Sequence, residues 1–118
     1  MSNPSRGEVT VKVGEREFTL RPTFQYIREI ESAIGSIFQL ARRLGDGSLG
    51  INDMATIIWL GIRKEEPKIR VDDVGDAIVA NGSMDYLSAI TMFLNNAIDP
   101  GRKLAAMGEE KAPMGALN

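Results

Sequence analysis

Residues 8–34 read EVTVKVGEREFTLRPTFQYIREIESAI, and the periodicity of this stretch changes once, at Pro22. Before the proline, apolar and polar residues alternate along Val9–Val13 and again along Glu17–Leu20, with a glycine-containing break between the two runs. Alternation on both sides of such a break predicts a β-hairpin. Because a two-stranded hairpin alone is marginally stable in water, we expect its valine face to lie on helices.

After the proline, apolar residues recur at helical spacing, and the pattern predicts five short helices. Thr23 is the expected N-cap of the first helix, whose stripe we place at Phe24, Ile27, Ile30 and Ile34. The other helices are expected at 36–44, 53–63, 72–81 and 84–98, with Ser36, Asn52 and Ser83 as caps and Gly45 ending the second. Residues 54–62 are apolar almost all round, so the third helix should be central, and we expect Gly61 to allow a close helix approach.

The fold class that follows is mainly α, a compact bundle of about five short helices with an N-terminal β-hairpin. We expect residues 1–7 to form a flexible leader and residues 8–99 a single globular domain, with the hairpin at 8–20 and the helices at 23–98. Residues 100–118 lack a sustained period and are expected to be a mobile tail, with a short helical stretch at 102–107.

The composition excludes several function classes. The chain has 118 residues, no histidine, no cysteine and a formal net charge of −2. Zinc fingers, thiol nucleophiles, disulfide frameworks and Ser-His-Asp triads are therefore excluded. A near-balanced charge argues against nucleic-acid binding, and no apolar run approaches the roughly 20 residues that span a bilayer. We expect a cytoplasmic protein that is not an enzyme and uses no cofactor or metal.

The fifth helix has more apolar surface than one core stripe requires. Leu87, Ile90, Leu94 and Ile98 share one face, and Tyr86, Met92, Phe93 and Ala97 share another. Two interpretations stay open: the helix is sandwiched between helices one and three, or it presents a partner surface. On the second interpretation, the partner-binding residues are Tyr86, Met92, Phe93 and Ile98.

Other motifs carry little chemistry. The loop Leu44–Leu49 resembles a carrier-protein motif only in placing Ser48 after a glycine-rich turn, without the directly preceding aspartate. The paired carboxylates Asp72-Asp73 fit a helix start, where negative charge meets the positive end of the dipole. The basic residues near helix ends, such as Arg42-Arg43, lack interleaved exposed aromatics, and we read them as solvated surface.

An ordered series of residues resembles the tail assembly chaperone family of siphophages and gene transfer agents, of the gene-transfer-agent tail-module type. The series begins with Gly7-Glu8 and the helix entry Leu20-Arg21-Pro22-Thr23-Phe24. It continues with Ile30–Ser36, Leu40–Arg43 and the helix end Trp59-Leu60-Gly61-Ile62, so that the likeness covers about residues 7–98. None of these pieces is a catalytic motif.

The resemblance implies a non-enzymatic role in tail morphogenesis. Such chaperones bind the tape measure protein and shield its hydrophobic helices until tail tube subunits polymerise around it. The implied partners are the tape measure protein and the tail tube protein, and self-association is left open. A structural tail component, such as a tube or connector subunit, is the nearest rival. A small helical DNA-binding regulator follows, and a carrier protein comes last.

Overall fold

A two-stranded antiparallel hairpin precedes five helices in the computed structural model, which describes residues 7–99. The strands are β1 (Val9–Val13) and β2 (Arg16–Leu20); the helices are α1 (Phe24–Ile34), α2 (Ile37–Asp46), α3 (Ile51–Ile62), α4 (Val71–Asn81) and α5 (Ser83–Ile98). The predicted fold class is confirmed. The expected leader up to Arg6, the tail at 100–118 and the helical stretch at 102–107 lie outside the described residues.

The hairpin closes through a two-residue turn, with Val13 paired to Arg16. Gly14 at the first turn position has a φ of +65°, and no other residue type has a positive φ among those described. A positive φ at the first central residue alone defines a type II′ turn, which matches the twist of the strands and favours glycine there. The face carrying the alternating valines is buried together with Phe18 and Leu20.

α3 is the central helix, as its sequence predicted. It packs against β2, α1, α4 and α5, and it buries six side chains: Met54, Ala55, Ile57, Ile58, Leu60 and Ile62. Gly61 faces the contact with α1 and β2. A Cβ built at Gly61 would lie 2.6 Å from the Tyr26 hydroxyl oxygen and 2.9 Å from a Leu20 methyl group. The missing side chain therefore sets how closely these elements approach.

α1 begins at the predicted cap, because the Thr23 hydroxyl accepts the Tyr26 backbone N–H at 3.2 Å. Its buried face, however, is centred on Tyr26 and Ile30. The prediction that Phe24 belongs to the core was wrong: its side chain is 74% exposed, with the Arg28 guanidinium 5.5 Å from its ring centroid. A residue in the first turn of a helix can lie outside the stripe that later turns bury.

The boundaries of α2 and α3 differ from the predicted ones. α2 continues through Gly45 to Asp46, and its C-cap is Gly47, which adopts the left-handed conformation at φ 80° and ψ 10°. α3 begins after Gly50 rather than at an Asn52 cap, because the Asp53 carboxylate accepts the Gly50 N–H at 3.1 Å. Arg43 also donates to Asp53 at 2.6 Å, so one carboxylate holds the two helix ends together.

α4 and α5 follow one another through Gly82, whose φ of +101° turns the chain sharply. Gly82, and not the predicted Ser83, occupies the N-cap position of α5. Within residues 7–99, no single helix is long and apolar enough to cross a membrane; α4 and α5 reach that length and hydropathy only as a pair bent by 118°.

Candidate functional site

The structure places two of the four predicted partner-binding residues in the core. Tyr86 is buried against the hairpin, and Phe93 is completely buried with its ring centroid 5.0 Å from that of Tyr26. Neither side chain can contact a partner in the folded domain, which corrects their assignment to an exposed surface. The physical reason is that α5 packs against β1, α2, α3 and α4, so more than one of its faces is covered.

The other two predicted residues are more accessible. Met92 is 46% exposed, and Ile98 is half-buried against the edge of the core. Met92 lies on an outward stripe of α5 with Met84 and Ser88, one helical turn apart in each step. The predicted partner surface on α5 therefore narrows to this methionine stripe, and binding through it stays a prediction.

The described residues also form a groove next to the turn of the hairpin. A groove of about 780 Å³ separates the hairpin turn from α4 and the loop that precedes it. We call it the hairpin–α4 groove; it is lined by Val13, Gly14, Glu15, Arg16, Phe18, Glu66, Lys68, Ile69, Asp73, Asp76, Ala77, Ala80 and Asn81. Its volume falls in the range of known ligand-binding clefts, roughly 300–1,000 Å³.

The floor of the groove is apolar and its rim is charged. Phe18 and Ile69 supply bulk, whereas Ala77 and Ala80 on α4 leave space above the helix. On the rim, Arg16 forms an ion pair with Glu66 at 2.9 Å and lies 4.7 Å from the centroid of the Phe18 ring. This pair joins β2 to the α3–α4 loop and closes one end of the groove.

Hydrogen bonds fix the loop and the start of α4. The Trp59 indole N–H donates to the Ile69 carbonyl at 3.0 Å, which ties the loop to α3. The Asp73 carboxylate accepts the Arg70 backbone N–H at 2.9 Å and the Arg70 guanidinium at 3.3 Å. These bonds from Arg70 lower the pKa of Asp73, so the carboxylate stays ionised as a helix cap. These bonds anchor the α4 side of the groove to α3 and to the loop before α4.

The far end of the groove is held by Tyr86. Its hydroxyl donates to the Lys12 carbonyl at 2.5 Å and accepts from the Asn81 amide at 3.3 Å. One side chain on α5 therefore connects the hairpin to the C-terminal end of α4. Bonds thus join the walls of the groove to neighbouring elements.

A second polar cluster surrounds Glu29 on α1. Its carboxylate accepts from Gln25 at 3.0 Å and lies 3.4 Å from the Lys64 ammonium and 3.7 Å from the Arg63 guanidinium. The hydrogen bond from Gln25, aided by the two cations, lowers the pKa of Glu29. Nearby, burial raises the pKa of the Tyr26 hydroxyl far above its usual range, and this hydroxyl donates to the Ile57 carbonyl. Both groups are held in one protonation state near neutral pH.

The remaining candidates from the sequence have structural explanations. The backbone N–H of Ser48 donates to Asp46 at 2.9 Å, and its carbonyl accepts from Arg43, so the carrier-like loop is a hydrogen-bonded turn. Among residues 7–99 there is no group of three or more carboxylates arranged to hold a metal ion. Sequence reasoning missed the groove because its walls come from residues 13–18 and 66–81, which only the fold brings together.

Comparison with known proteins gives one finding. Residues 6–99 match a family model described as "Phage tail tube protein, GTA-gp10". No curated protein matches the chain. No solved structure matches it either.

Proposed function

The chain belongs to the phage tail tube protein family GTA-gp10, a gene-transfer-agent tail-module family, and on that premise we propose that it is a non-enzymatic tail assembly chaperone that binds the tape measure protein. In this role it acts in the cytoplasm of the bacterial host during tail morphogenesis. A role connected with the phage tail follows from membership of this family.

The observation that carries the proposal is the hairpin–α4 groove. An amphipathic helix can lay an apolar stripe on Ile69, and the small side chains of Ala77 and Ala80 allow its backbone to come close. On the rim, neither Glu15 nor Asp76 forms an ion pair with any residue in the described range. These carboxylates favour a partner helix whose polar face carries lysine or arginine near the apolar stripe.

The methionine stripe on α5 is a second contact surface in this proposal. Met84 is 69% exposed and Met92 46%. Methionine side chains are flexible and recur where one surface must accept varied apolar sequences. A chaperone of long hydrophobic helices has that requirement, and neither surface needs an acid, a base or a nucleophile.

Co-expression with fragments of the tape measure protein tests the proposal. We expect co-purification with the wild-type chain, and a loss of at least about tenfold in recovered partner for Ala80→Arg, which fills the groove from an exposed position. Gln39→Arg on the exposed side of α2 adds the same charge away from both surfaces and is the matched control. Met92→Arg reports on the methionine stripe. Binding that survives both Ala80→Arg and Met92→Arg would contradict the proposal.

A tail tube subunit is the second candidate, because the family description names a tail tube protein. The two roles differ in the fate of the protein. A chaperone is expected in lysates of producing cells and at only trace level in purified particles, whereas a tube subunit is retained in many copies. Quantitative mass spectrometry of purified particles distinguishes them, and retention at a level comparable to the other tube components would replace the chaperone proposal.

A further inference from the structure

The first helix begins with an exposed aromatic side chain that has a cation on the next turn. Phe24 is the first residue of α1, and its side chain is 74% exposed. The Arg28 guanidinium lies 5.5 Å from the centroid of the Phe24 ring. Within residues 7–99, Arg28 forms no ion pair with a carboxylate. Aromatic and arginine side chains are the residues that most often dominate the energy of protein interfaces, and we call Phe24 and Arg28 the α1 anchor.

The surface around the α1 anchor is positively charged. Arg28, Glu29 and Arg63 line one cleft between α1 and α3. The Glu29 carboxylate is shared by the Lys64 ammonium at 3.4 Å and the Arg63 guanidinium at 3.7 Å. Three cations and one carboxylate leave this cluster with a net charge of +2.

The hairpin–α4 groove has the complementary character. Four carboxylates and two cations line it, which gives a net charge of −2. Neither Glu15 nor Asp76 forms an ion pair with another described residue. Ile69, Ala77 and Ala80 leave apolar surface between these charges. An apolar ring that carries a cation beside it matches both the apolar surface and the carboxylates of the rim.

The α1 anchor and the groove of one molecule lie too far apart to meet. The groove adjoins the turn of the hairpin, whereas α1 begins beyond the other end of β2. The five residues of β2 span about 17 Å at roughly 3.4 Å each. In addition, α1 and α4 each pack on α3 and make little contact with one another. Only a second copy can therefore bring an α1 anchor to the groove.

We infer that the α1 anchor of one copy docks in the hairpin–α4 groove of a second copy of this chain. Because the contact joins two different surfaces, each pair keeps one free anchor and one free groove, and further copies can add head to tail. The inference concerns contact between copies and does not rest on the tape measure protein as a partner. When both occupants are present, a second copy and a tape measure helix compete for one groove.

Two variants that each remove one half of the contact test the inference. Phe24→Glu removes the anchor, and Ala80→Arg fills the groove; both positions are exposed, so the fold should persist, which circular dichroism checks. In sedimentation velocity of the purified full chain, we expect the wild type to associate reversibly as its concentration rises. Each variant alone should associate at least about tenfold more weakly. In a mixture, the two variants should form a complex with one copy of each, because Phe24→Glu keeps its groove and Ala80→Arg keeps its anchor.

Phe38→Glu is the matched control for the anchor. Phe38 is 66% exposed near the start of α2 and, like Phe24, is followed by an arginine four positions later. This control should associate like the wild type. Arg28→Glu keeps the Phe24 ring but reverses the charge, and it should weaken association several-fold at low ionic strength.

Three results would overturn the inference: a wild-type chain that stays monomeric up to roughly millimolar concentration, mixed variants that stay apart, or equal losses for Phe24→Glu and Phe38→Glu. The same variants distinguish the inference from the proposed function. Phe24→Glu should still co-purify with tape measure fragments because its groove is intact, whereas Ala80→Arg should lose both contacts. Formation of the mixed complex by chains that bind no tape measure fragment would support the inference and contradict the proposed function.

Discussion

Gly61→Ala is expected to destabilise the domain, although alanine is the better helix former. The gain in helix propensity is about 1 kcal/mol. Against it stands the new methyl group, which would lie 2.6 Å from the Tyr26 hydroxyl and 2.9 Å from Leu20. Tyr26 is buried, and its hydroxyl donates to the Ile57 carbonyl, so the ring cannot move aside without losing that bond.

The magnitude follows from these opposing terms. Overpacking costs about 1–3 kcal/mol, and a displaced Tyr26 hydrogen bond adds about 1 kcal/mol. After the propensity gain is subtracted, the net loss in free energy of unfolding is about 1–3 kcal/mol. In a domain of this size, that loss lowers the melting temperature by about 5–20 °C.

Urea unfolding followed by circular dichroism measures the effect. Gly75→Ala in the middle of α4 is the matched control, because its new Cβ would lie 3.9 Å from the Ala55 Cβ, an ordinary contact. This control should be neutral or stabilised by up to about 1 kcal/mol. Tyr26→Phe should relieve part of the Gly61→Ala defect in the double variant. A Gly61→Ala domain as stable as the wild type would refute the close-approach argument.

Two further predictions concern α5 and Glu29. Phe93→Ala should lower the free energy of unfolding by about 3–5 kcal/mol because the ring is completely buried. Met92→Ala, at the preceding position, should lower it by less than about 1 kcal/mol. Similar losses for the two variants in thermal unfolding would contradict the burial of Phe93. Glu29→Gln should cost roughly 0.5 kcal/mol at pH 7 by removing the contacts with Lys64 and Arg63. The folded-state pKa of Glu29 is lowered from 4.5. The difference in free energy of unfolding between the wild type and Glu29→Gln should therefore be present above pH 4.5 and vanish as the pH falls through the lowered pKa. A difference that persists at pH 2 would show that the charge of Glu29 is not its cause.

Local patterns predicted the elements well and their ends less well. The alternation at 9–13 and the all-apolar stretch at 54–62 predict the hairpin and the central helix, because the spacing of apolar residues within a short stretch indicates both its secondary structure and its buried face. The start of α3 was misplaced because Asp53 satisfies the Gly50 N–H from inside the helix. An internal carboxylate can replace a side chain at the N-cap, and the sequence then shows two equivalent starts.

Burial on α5 and the groove could not be read from local patterns. The sequence showed that α5 has surplus apolar surface, and it left open whether neighbours or a partner cover Tyr86 and Phe93. That choice depends on how many elements surround the helix, which is a tertiary property. The groove likewise combines Phe18 with Ala77, which are far apart along the chain. Its small residues on α4 were the available signal, but small residues alone do not specify a cleft.

The bonds between the hairpin and α5 also constrain the order of folding. Tyr86 reaches Lys12 across a separation of 74 positions, and the Asn96 amide reaches the Gly7 carbonyl across 89. The valine face of the hairpin is therefore synthesised first, and α5, which packs against β1, is synthesised last. We expect folding to be slower than in a bundle of sequence-adjacent helices, since loop closure precedes the stabilising contacts. During translation, a nascent chain that has not yet produced α5 exposes this face to chaperones and to other nascent chains.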